Sequence, residues 1–476
     1  MSENTSSNQP KELKIEKTNI PGLLVVHLPV HGDSRGWFKE NWQREKMINL
    51  GLPDIKPVQN NISYNANKGA TRGIHTEPWD KYVSLGSGKI FGAWVDMREG
   101  HEPNVFTIEM DSSVAIYVPR GVGNSYQALE DNTVYTYLVN DHWTPDGQYL
   151  ALNLNDKTIN IDWPIPLDKA EISEKDKNNP SLTDSGKVKP KKIMITGARG
   201  QLGQALQTHF PDAECVDLDA FNISDPTAYK HRKWNEYSTI INAAAYTNVD
   251  GAETPEGRET SWQANATAVM LLSRVAIENN LTLVHISSDY VFDGTKVPHT
   301  EQEPFTPLSV YGNSKAAGDI AARLTTKHYI VRTSWVVGKG KNFVKTMKEL
   351  ADKGVNPSVV DDQLGRLTFT EDLASAVSHL VNTAQPYGTY NLTNAGPIVS
   401  WADIAKIVYK KTGHDSDRVT GISTAKYYAG KENIAPRPLL SELSLEKIQK
   451  SGFTPRDWQT ALNEYILELK QENGEQ

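Results

Sequence analysis

The chain has 476 residues, of which 38% are apolar and 23% charged, and its formal net charge is −8. This composition is typical of a globular protein with roughly two or three domains, and the negative charge argues against general nucleic-acid binding. The single cysteine, Cys215, excludes an intrachain disulfide and a zinc site built from several cysteines.

Residues 1–14 are polar and predict a disordered lead-in, not a secretory signal, because they contain no apolar core. No apolar run in the chain approaches the roughly 18 residues that a membrane span needs. We therefore expect a cytoplasmic protein that has neither membrane nor nucleic-acid partners.

Residues 15–170 have the pattern of β-strands separated by turn residues. The strand-like segments are rich in Val, Ile, Thr and aromatic residues, and helical periodicity is nearly absent. They are GLLVVHLPV, KYVSLGSGKIFGAWVDM, FTIEMDSSVAIYVP and NTVYTYLVN. This pattern predicts an all-β jelly roll of the cupin-like kind.

Residues 171–190 are charged and contain Asn, Pro, Ser and Gly, so they predict a tail and linker. From residue 191 to about 470, short buried-type strands alternate with segments of helical spacing. Alternation of this kind predicts a doubly wound parallel sheet, here with a small C-terminal substrate lobe.

A glycine-rich turn follows the first strand of this second half, with glycines at 197, 200 and 203. Such a turn brings backbone N–H groups and a helix N-terminus close to a pyrophosphate. Tyr311 and Lys315 are four residues apart on a predicted helix, so they share a face, and a neighbouring lysine lowers the pKa of a phenol that acts as a general acid. Ser288 ends the strand LTLVHISS, at the edge where ligands bind such sheets.

These three elements together resemble the extended short-chain dehydrogenase/reductase family, and four further segments and the chain's ending narrow the likeness to dTDP-4-dehydrorhamnose reductase. The segments are NAAAYTNVDGAE (242–253), SSDYVFDGT (287–295), VYGNSK (310–315), RTSWVVG (332–338) and APRPLLSEL (435–443). The resemblance implies that Tyr311 is the proton donor, Lys315 its partner, and Ser288 the group that orients the carbonyl.

The same resemblance implies two sets of binding residues. The sugar nucleotide would contact Ser288, Asp289 and Trp335. The cofactor would contact Gly197, Gly200, Gln201, Leu202, Gly203, Ala243, Ala244, Ala245, Tyr311 and Lys315.

The choice between NADPH and NADH is open, because Arg199 suits a 2′-phosphate, whereas Asp217 or Asp219 suits a ribose 2′-hydroxyl. Some reductase relatives use Mg²⁺, for which Glu253 is a single candidate ligand. One carboxylate falls far short of a metal site, so no metal-binding residues are assigned.

In the first half, the cations Arg35, Arg72 and Lys81 are dispersed among strands, and His75 follows Arg72 closely. A basic barrel interior with a histidine suits an anionic ligand and proton transfer. The segments here resemble dTDP-4-dehydrorhamnose 3,5-epimerase over about residues 15–185. They include DSRGWFKE (33–40), QNNIS (59–63), RGIH (72–75), VDMR (95–98) and ISEKDKNNPSLTD (172–184).

This second resemblance implies that His75 is the general base, Asp156 its orienting partner, Tyr137 the general acid on the opposite face, and Lys81 the cation that stabilises an enolate. Two acid/base groups facing each other across the sugar ring are needed to invert a carbon centre. The nucleotide sugar would be held by Arg35, Glu40, Gln59, Asn61, Arg72 and Asn124.

The first half departs from the family pattern at four places, two of which are Ile62, where the family has a histidine after Asn61, and Gln148, where it has a glutamate beyond Tyr137. Asn124 stands where the family has a substrate-contacting histidine, and the stretch between His75 and Lys81 is shortened to Thr-Glu-Pro-Trp-Asp. Nucleotide preference and inversion of both C3 and C5 are therefore less firmly implied than epimerisation itself.

The two resemblances imply one bifunctional enzyme that makes dTDP-L-rhamnose from dTDP-4-dehydro-6-deoxyglucose. The epimerase product is the reductase substrate, so a dTDP-linked 4-keto-6-deoxy sugar is the expected ligand, and a homodimer the expected assembly. Three alternatives stay open: an active reductase with an inert epimerase-like half, the same chemistry on a UDP-linked sugar, and a non-catalytic nucleotide-binding regulatory subunit.

Overall fold

A computed structural model describes residues 12–145 and 147–472, so 11 of the 14 residues expected to form a lead-in lie outside the described residues. The chain divides into two compact units, Met1–Pro190 and Lys191–Gln476. No helix in the described part is long and apolar enough to cross a membrane.

The first unit is built almost entirely from strands, with two short helices. Its strands are β1 (Lys14–Lys17), β2 (Leu24–His27), β3 (Val30–Asp33), β4 (Gly36–Lys39), β5 (Gln59–Asn65), β6 (Ala70–Thr76), β7 (Lys81–Ser87), β8 (Ile90–Asp96), β9 (Val105–Met110), β10 (Val114–Val118), β11 (Val122–Ala128), β12 (Thr133–Val139), β13 (Leu150–Ala151) and β14 (Glu171–Ile172). The helices are α1 (Arg44–Asn49) and α2 (Glu174–Lys177).

These strands form two main sheets. One has the order β1-β2-β10-β7-β12-β5; the other has the order β13-β6-β11-β8-β9, with β14 paired to β6. The pairs in both sheets are antiparallel except the parallel β14–β6 pair. Apolar side chains from both sheets, such as Val83 and Trp94, share one core, which confirms the predicted antiparallel β architecture.

Residues expected to be a tail and linker contribute ordered structure to this unit. Ile172 pairs with Thr71 of β6, and Val188 forms a bridge with Arg98. Ser173 accepts a hydrogen bond from the N–H of Asp176 and so caps α2. The segment is polar, yet its backbone hydrogen bonds are made with the sheet, which composition alone does not show.

The second unit alternates strands and helices. Its strands are β15 (Lys192–Thr196), β16 (Glu214–Val216), β17 (Tyr237–Asn242), β18 (Thr282–Ser288), β19 (His328–Thr333), β20 (Val336–Val337), β21 (Ser358–Val360), β22 (Leu364–Gly365), β23 (Thr368–Phe369), β24 (Gly388–Asn391), β25 (Val399–Ser400) and β26 (Thr420–Ile422). Its helices are α3 (Gln201–His209), α4 (Pro255–Trp262), α5 (Ala268–Glu278), α6 (Val310–Arg323), α7 (Phe343–Asp352), α8 (Thr370–Asn382), α9 (Trp401–Lys411), α10 (Thr424–Tyr428), α11 (Glu446–Lys450) and α12 (Trp458–Glu472).

The main sheet of this unit is parallel, with the order β16-β15-β17-β18-β19-β24. The chain starts at β15 and runs outward in both directions, which confirms the predicted doubly wound sheet. A separate apolar core joins α7, α9 and α12 around residues such as Val408 and Trp458. The Ser400–Asp403 capping box expected at the start of α9 is present.

An ion pair lies fully buried between α6 and β19. The Arg332 Nε donates to Asp319 Oδ2 at 2.9 Å, and neither side chain is exposed to solvent. The Arg332 guanidinium also lies over the rings of Phe292 and Phe305. Removing one partner of such a pair leaves a buried charge without compensation.

We expect Asp319→Asn to lower the free energy of unfolding of the second unit by about 3–5 kcal/mol, because Arg332 loses its counter-charge. Denaturant titration followed by tryptophan fluorescence measures this change. Glu278→Gln is the control, since it breaks the exposed Arg274–Glu278 pair and should cost no more than about 0.5 kcal/mol. Equal, small effects of the two substitutions would contradict the assigned weight of the buried pair.

Candidate active sites

A cavity of about 400 Å³ opens in the first unit, between strands of the two sheets. It brings together five of the residues predicted from sequence, namely Arg72, His75, Lys81, Asn124 and Tyr137. It is also lined by residues without a predicted role, among them Glu77, Tyr126, Tyr135 and Asp176. Cations, a histidine and phenols around one cavity can bind an anion and move protons.

The resemblance implied that Asp156 orients His75, but the structure places Asp176 beside the imidazole instead. His75 Nε2 lies 2.7 Å from Asp176 Oδ1, and the Asp176 side chain is 6% exposed. The other Asp176 oxygen accepts from the N–H of Gly73 at 3.4 Å. A buried carboxylate in this position fixes the orientation of the imidazole.

Asp156 has a different set of partners. Its carboxylate accepts backbone N–H groups from Leu182 at 2.7 Å, Thr158 at 2.8 Å and Ile159 at 3.4 Å. Burial, the largest single cause, would raise the pKa of Asp156, but the hydrogen bonds from Leu182, Thr158 and Ile159 together outweigh it and lower the pKa. Asp156 therefore ties the segment around Leu182 to the unit, while Asp176, in the same segment, reaches His75.

Lys81 and Tyr137 meet inside the cavity, on the neighbouring strands β7 and β12. The Lys81 ammonium lies 5.4 Å from the centroid of the Tyr137 ring and 2.5 Å from Glu77 Oε2. Burial raises the pKa of Tyr137, and the Glu77 carboxylate raises it further. The phenol is therefore protonated at neutral pH, as a proton donor must be.

Asn124 and Arg72 are held by hydrogen bonds to neighbouring polar side chains. The Tyr135 hydroxyl donates to Asn124 Oδ1 at 3.0 Å, and the Arg72 Nε donates to Asn65 Oδ1 at 3.1 Å. The Tyr126 hydroxyl also donates to Asn65 Oδ1, at 3.1 Å. Both predicted binding residues are thus fixed within the cavity wall before any ligand is present.

Four predicted substrate contacts lie outside the lining of this cavity. Arg35 pairs with Asp33 in the exposed turn between β3 and β4, and Glu40 pairs with Lys46. Gln59 donates to Asn61 at 2.8 Å, and Asn61 lies directly across from Tyr137 in the β5–β12 pair. Asn61 and Gln59 are therefore near the cavity, whereas the β3–β4 hairpin holds Arg35 on the surface. Their contacts with substrate stay predictions.

A larger cavity, of about 810 Å³, lies at the carboxyl ends of the parallel strands in the second unit. It is lined by all but one of the residues predicted here, namely Gly197, Gly200, Gln201, Leu202, Ala243, Ala244, Ala245, Ser288, Asp289, Tyr311, Lys315 and Trp335. Gly203 is the exception. A Cβ there would lie 2.1 Å from the oxygen of Gly197, so this glycine permits close packing of α3 against the turn.

The residues around the turn fit a dinucleotide. Gly197 has φ +68°, and a Cβ there would lie 2.6 Å from the nitrogen of Ala244, so only glycine leaves this approach open. In the described part of the chain, Gln201 Oε1, Thr333 Oγ1 and Ser334 Oγ are buried cavity atoms without a hydrogen-bond partner. Buried polar atoms of this kind are suited to bind polar groups of a ligand.

Arg199 and the two aspartates proposed as alternatives form one cluster. The Arg199 backbone N–H donates to Asp217 Oδ2 at 2.9 Å, and its guanidinium pairs with Asp219 and lies 3.7 Å from Asp217. Asp217 lines the cavity. A ribose 2′-hydroxyl can donate to Asp217, whereas a 2′-phosphate must draw Arg199 away from the carboxylates.

Ser288, Tyr311 and Lys315 converge in the same cavity. The Ser288 hydroxyl donates to Asp289 Oδ1 at 2.9 Å, while the Lys315 ammonium donates to the carbonyl of Ile286 at 2.7 Å. Burial lowers the pKa of Lys315 to about 8. Lowering of the Tyr311 pKa was expected, but burial and the Asp289 carboxylate raise it well above its ordinary value. The expectation fails because loss of hydration destabilises the phenolate.

Trp335 lies between the cavity and the separate apolar core. Its ring stacks on Trp401 with centroids 3.7 Å apart, and its backbone has φ +48°. One side chain therefore packs against this core and also lines the cavity, while its contact with a ligand stays a prediction.

The residues present do not fit a magnesium site. Glu253 Oε1 accepts the N–H of Val310 at 2.9 Å, which anchors the start of α6. Within residues 12–145 and 147–472, no three His, Cys, Asp or Glu side chains are grouped to hold a metal ion. Hard divalent cations need several oxygen ligands.

Comparison with known proteins gives matches in both units. A family model described as dTDP-4-dehydrorhamnose 3,5-epimerase matches residues 17–184, and one described as RmlD substrate binding domain matches residues 191–471. The chain is 46% identical over 186 residues to the Protein RmlC homolog of Streptococcus pyogenes, covering 37% of this chain and 93% of that protein.

Two reductases match the second unit. The dTDP-4-dehydrorhamnose reductase of Aggregatibacter actinomycetemcomitans is 38% identical over 291 residues, covering 57% of this chain and 97% of that protein. The crystal structure of the Bacillus anthracis dTDP-4-dehydrorhamnose reductase in complex with NADP is 32% identical, with a TM-score of 0.54. It covers 59% of this chain and 99% of that chain.

The lowered pKa of Lys315 predicts a pH-dependent stability. Above pH 8 the folded state has released the Lys315 proton, while an unfolded lysine keeps it up to about pH 10.4. The unfolded state then binds more protons, so the free energy of unfolding should rise with pH over this interval, by about 1–2 kcal/mol between pH 8 and 9.5.

Lys315→Met should lack this increment, because Met does not titrate. Denaturant titration of both proteins across this pH range measures the difference between their free energies of unfolding. A constant difference would show that Lys315 titrates at its ordinary pKa when the protein is folded.

Proposed function

The chain belongs to the RmlD substrate-binding-domain family over residues 191–471 and carries a dTDP-4-dehydrorhamnose 3,5-epimerase domain over residues 17–184, and we propose that it converts dTDP-4-dehydro-6-deoxyglucose into dTDP-L-rhamnose. One observation carries the proposal: each unit has a cavity in which acid/base groups converge, and the two reactions are consecutive. The related reductase crystallised with NADP supports a nicotinamide cofactor for the second reaction.

The first reaction inverts carbons next to a ketone. Protons at C3 and C5 are acidic because the C4 carbonyl accepts the resulting charge as an enolate. His75, oriented by Asp176, takes the proton. Lys81 supplies the positive charge next to the enolate, and Tyr137 returns a proton from the other face of the ring.

The second reaction reduces the C4 ketone. A bound NADPH or NADH supplies the hydride. Ser288 orients the carbonyl by a hydrogen bond, and Tyr311 donates the proton to the C4 oxygen. The raised pKa of Tyr311 keeps the phenol protonated until that charge develops.

The proposal leaves the nicotinamide cofactor as NADPH or NADH, because the cavity has a candidate group for each. Asp217 lines the cavity and is held by backbone N–H groups of Arg199 and Leu218, so it is placed to accept from a 2′-hydroxyl. Arg199 is 66% exposed in its side chain and so has room to turn toward a 2′-phosphate.

Purified protein given dTDP-4-dehydro-6-deoxyglucose and either nucleotide should form dTDP-L-rhamnose with no added epimerase. His75→Ala should lose the product and regain it when an outside epimerase is supplied, while Tyr311→Phe should slow cofactor oxidation by about 100-fold or more in both settings. Product is identified by mass and by NMR of the sugar ring.

Cofactor oxidation by the parental protein only after an outside epimerase is added would leave a reductase with an inert first unit. Turnover of the corresponding UDP-sugar at an equal rate would reassign the nucleotide. No turnover under any of these conditions would leave a non-catalytic binding protein.

The two aspartates near His75 make separable predictions. Asp176→Asn should lower kcat/KM of epimerisation by about 100-fold or more, because the imidazole loses its orienting charge. Asp156→Asn should keep most of the activity but lower the melting temperature, since its carboxylate accepts three backbone N–H groups. Exchange of sugar C–H for solvent deuterium measures the first reaction alone. The opposite ranking would restore Asp156 as the partner of His75.

A further inference from the structure

Glu77 lies inside the cavity of the first unit, in the shortened stretch that departs from the epimerase pattern. It comes one residue after the end of β6, two residues from His75, so both side chains extend to the same side. The Glu77 side chain is 19% exposed, and its carboxylate oxygen lies 2.5 Å from the Lys81 ammonium, itself 6% exposed. The cavity therefore holds a nearly dry ion pair beside Tyr137.

An unopposed ammonium at this position would change the protonation of Tyr137. Lys81 lies over the Tyr137 ring, and a nearby positive charge favours the phenolate over the phenol. A phenolate cannot donate the second proton of an epimerisation. A negative charge beside the ammonium offsets this effect, and Glu77 is the carboxylate that the structure places there.

Given the proposed epimerisation, on which this role rests, we propose that Glu77 is a positioning residue that holds the Lys81 ammonium against Tyr137. It thereby keeps the phenol protonated and able to donate, and so sets the alkaline limit of the reaction. The carboxylate neither gains nor loses a proton in this role. The proton on Tyr137 goes to the sugar carbon, and the proton removed by His75 leaves from the opposite face.

Glu77 raises the pKa of Tyr137, as this role requires, whereas Lys81 is not among the causes of the shift. Burial raises the pKa of Tyr137 most, the Glu77 carboxylate is the next contribution, Tyr126 adds to it, and Arg72 opposes it. The other charged or titratable groups that line the cavity with Tyr137 are Tyr135 on its own strand, Lys81 on β7, Arg72 and His75 on β6, Tyr126 on β11, Glu171 on β14 and Asp176 on α2, and Asn61 lies across from Tyr137 on β5. Glu77 is the negative charge among the causes of the shift.

The first experiment follows Tyr137 directly, without substrate. Protein labelled with ¹³C at the tyrosine ring carbon that bears the hydroxyl is titrated by NMR, and the Tyr137 signal is identified by its loss in Tyr137→Phe. In Glu77→Gln, Tyr137 should ionise at a pH lower by about one unit than in the parent. Glu77→Asp keeps the charge and should restore the parental titration within a few tenths of a unit.

A matched control uses another carboxylate of the same cavity. Glu171 lines the cavity but accepts from Asn67 Nδ2 at 3.2 Å and is not among the causes of the Tyr137 shift. Glu171→Gln should leave the Tyr137 titration unchanged. Unchanged signals of the other tyrosines show that each variant is folded.

The second experiment measures epimerisation alone, as deuterium uptake into the sugar without nicotinamide cofactor, across pH. The alkaline fall of kcat/KM should move to lower pH in Glu77→Gln, while Glu77→Asp follows the parent. A purely packing role would lower the rate and leave the position of this fall unchanged.

The two experiments separate two kinds of failure. A Tyr137 titration that is the same in Glu77→Gln and the parent overturns the role of Glu77, whatever the activity. A parental protein that exchanges no sugar protons overturns the proposed epimerisation, while the NMR titration still decides whether Glu77 controls Tyr137.

Discussion

One face of α6 carries three buried ionisable side chains in succession, Tyr311, Lys315 and Asp319, each four residues from the next. Their spacing places them on the same side of the helix, against β18 and β19. Asp319 is compensated by Arg332 on β19, and this pair anchors the far end of the face. The position of α6 relative to the sheet therefore fixes where Tyr311 and Lys315 enter the cavity, and this buried pair is one of the contacts that hold α6 there.

Desolvation shifts the pKa values of Tyr311 and Lys315 in opposite directions. It raises the pKa of Tyr311 and lowers that of Lys315, because it disfavours the phenolate and the ammonium alike. Both shifts favour neutral forms, so the site holds a protonated phenol beside an amine whose charge is lost a little above neutral pH.

The first unit reaches a similar arrangement by a different route. Its two sheets supply His75, Lys81 and Tyr137, and a polar segment near its end supplies the carboxylate that meets His75. Glu77 pairs with Lys81, and Asp176 pairs with His75. In both units, the groups proposed to carry the acid/base chemistry are thus held by partners that belong to a different strand, helix or turn.

The sequence by itself determined the two fold classes, because periods of two and of about 3.6 are local properties of the chain. Its motifs and family resemblances also picked out Gly197, Ser288, Tyr311, Lys315, His75, Lys81 and Tyr137, which the strands and α6 bring to the two cavities. The tertiary structure alone decided which carboxylate meets which cation.

Asp176 lies 101 residues from His75 in the chain, and Asp156 lies nearer in sequence yet binds backbone N–H groups instead. The direction of the Tyr311 pKa shift was likewise decided by burial, which sums over many neighbours. Partner choice and desolvation depend on distances between segments that are remote in sequence, so no local pattern records them.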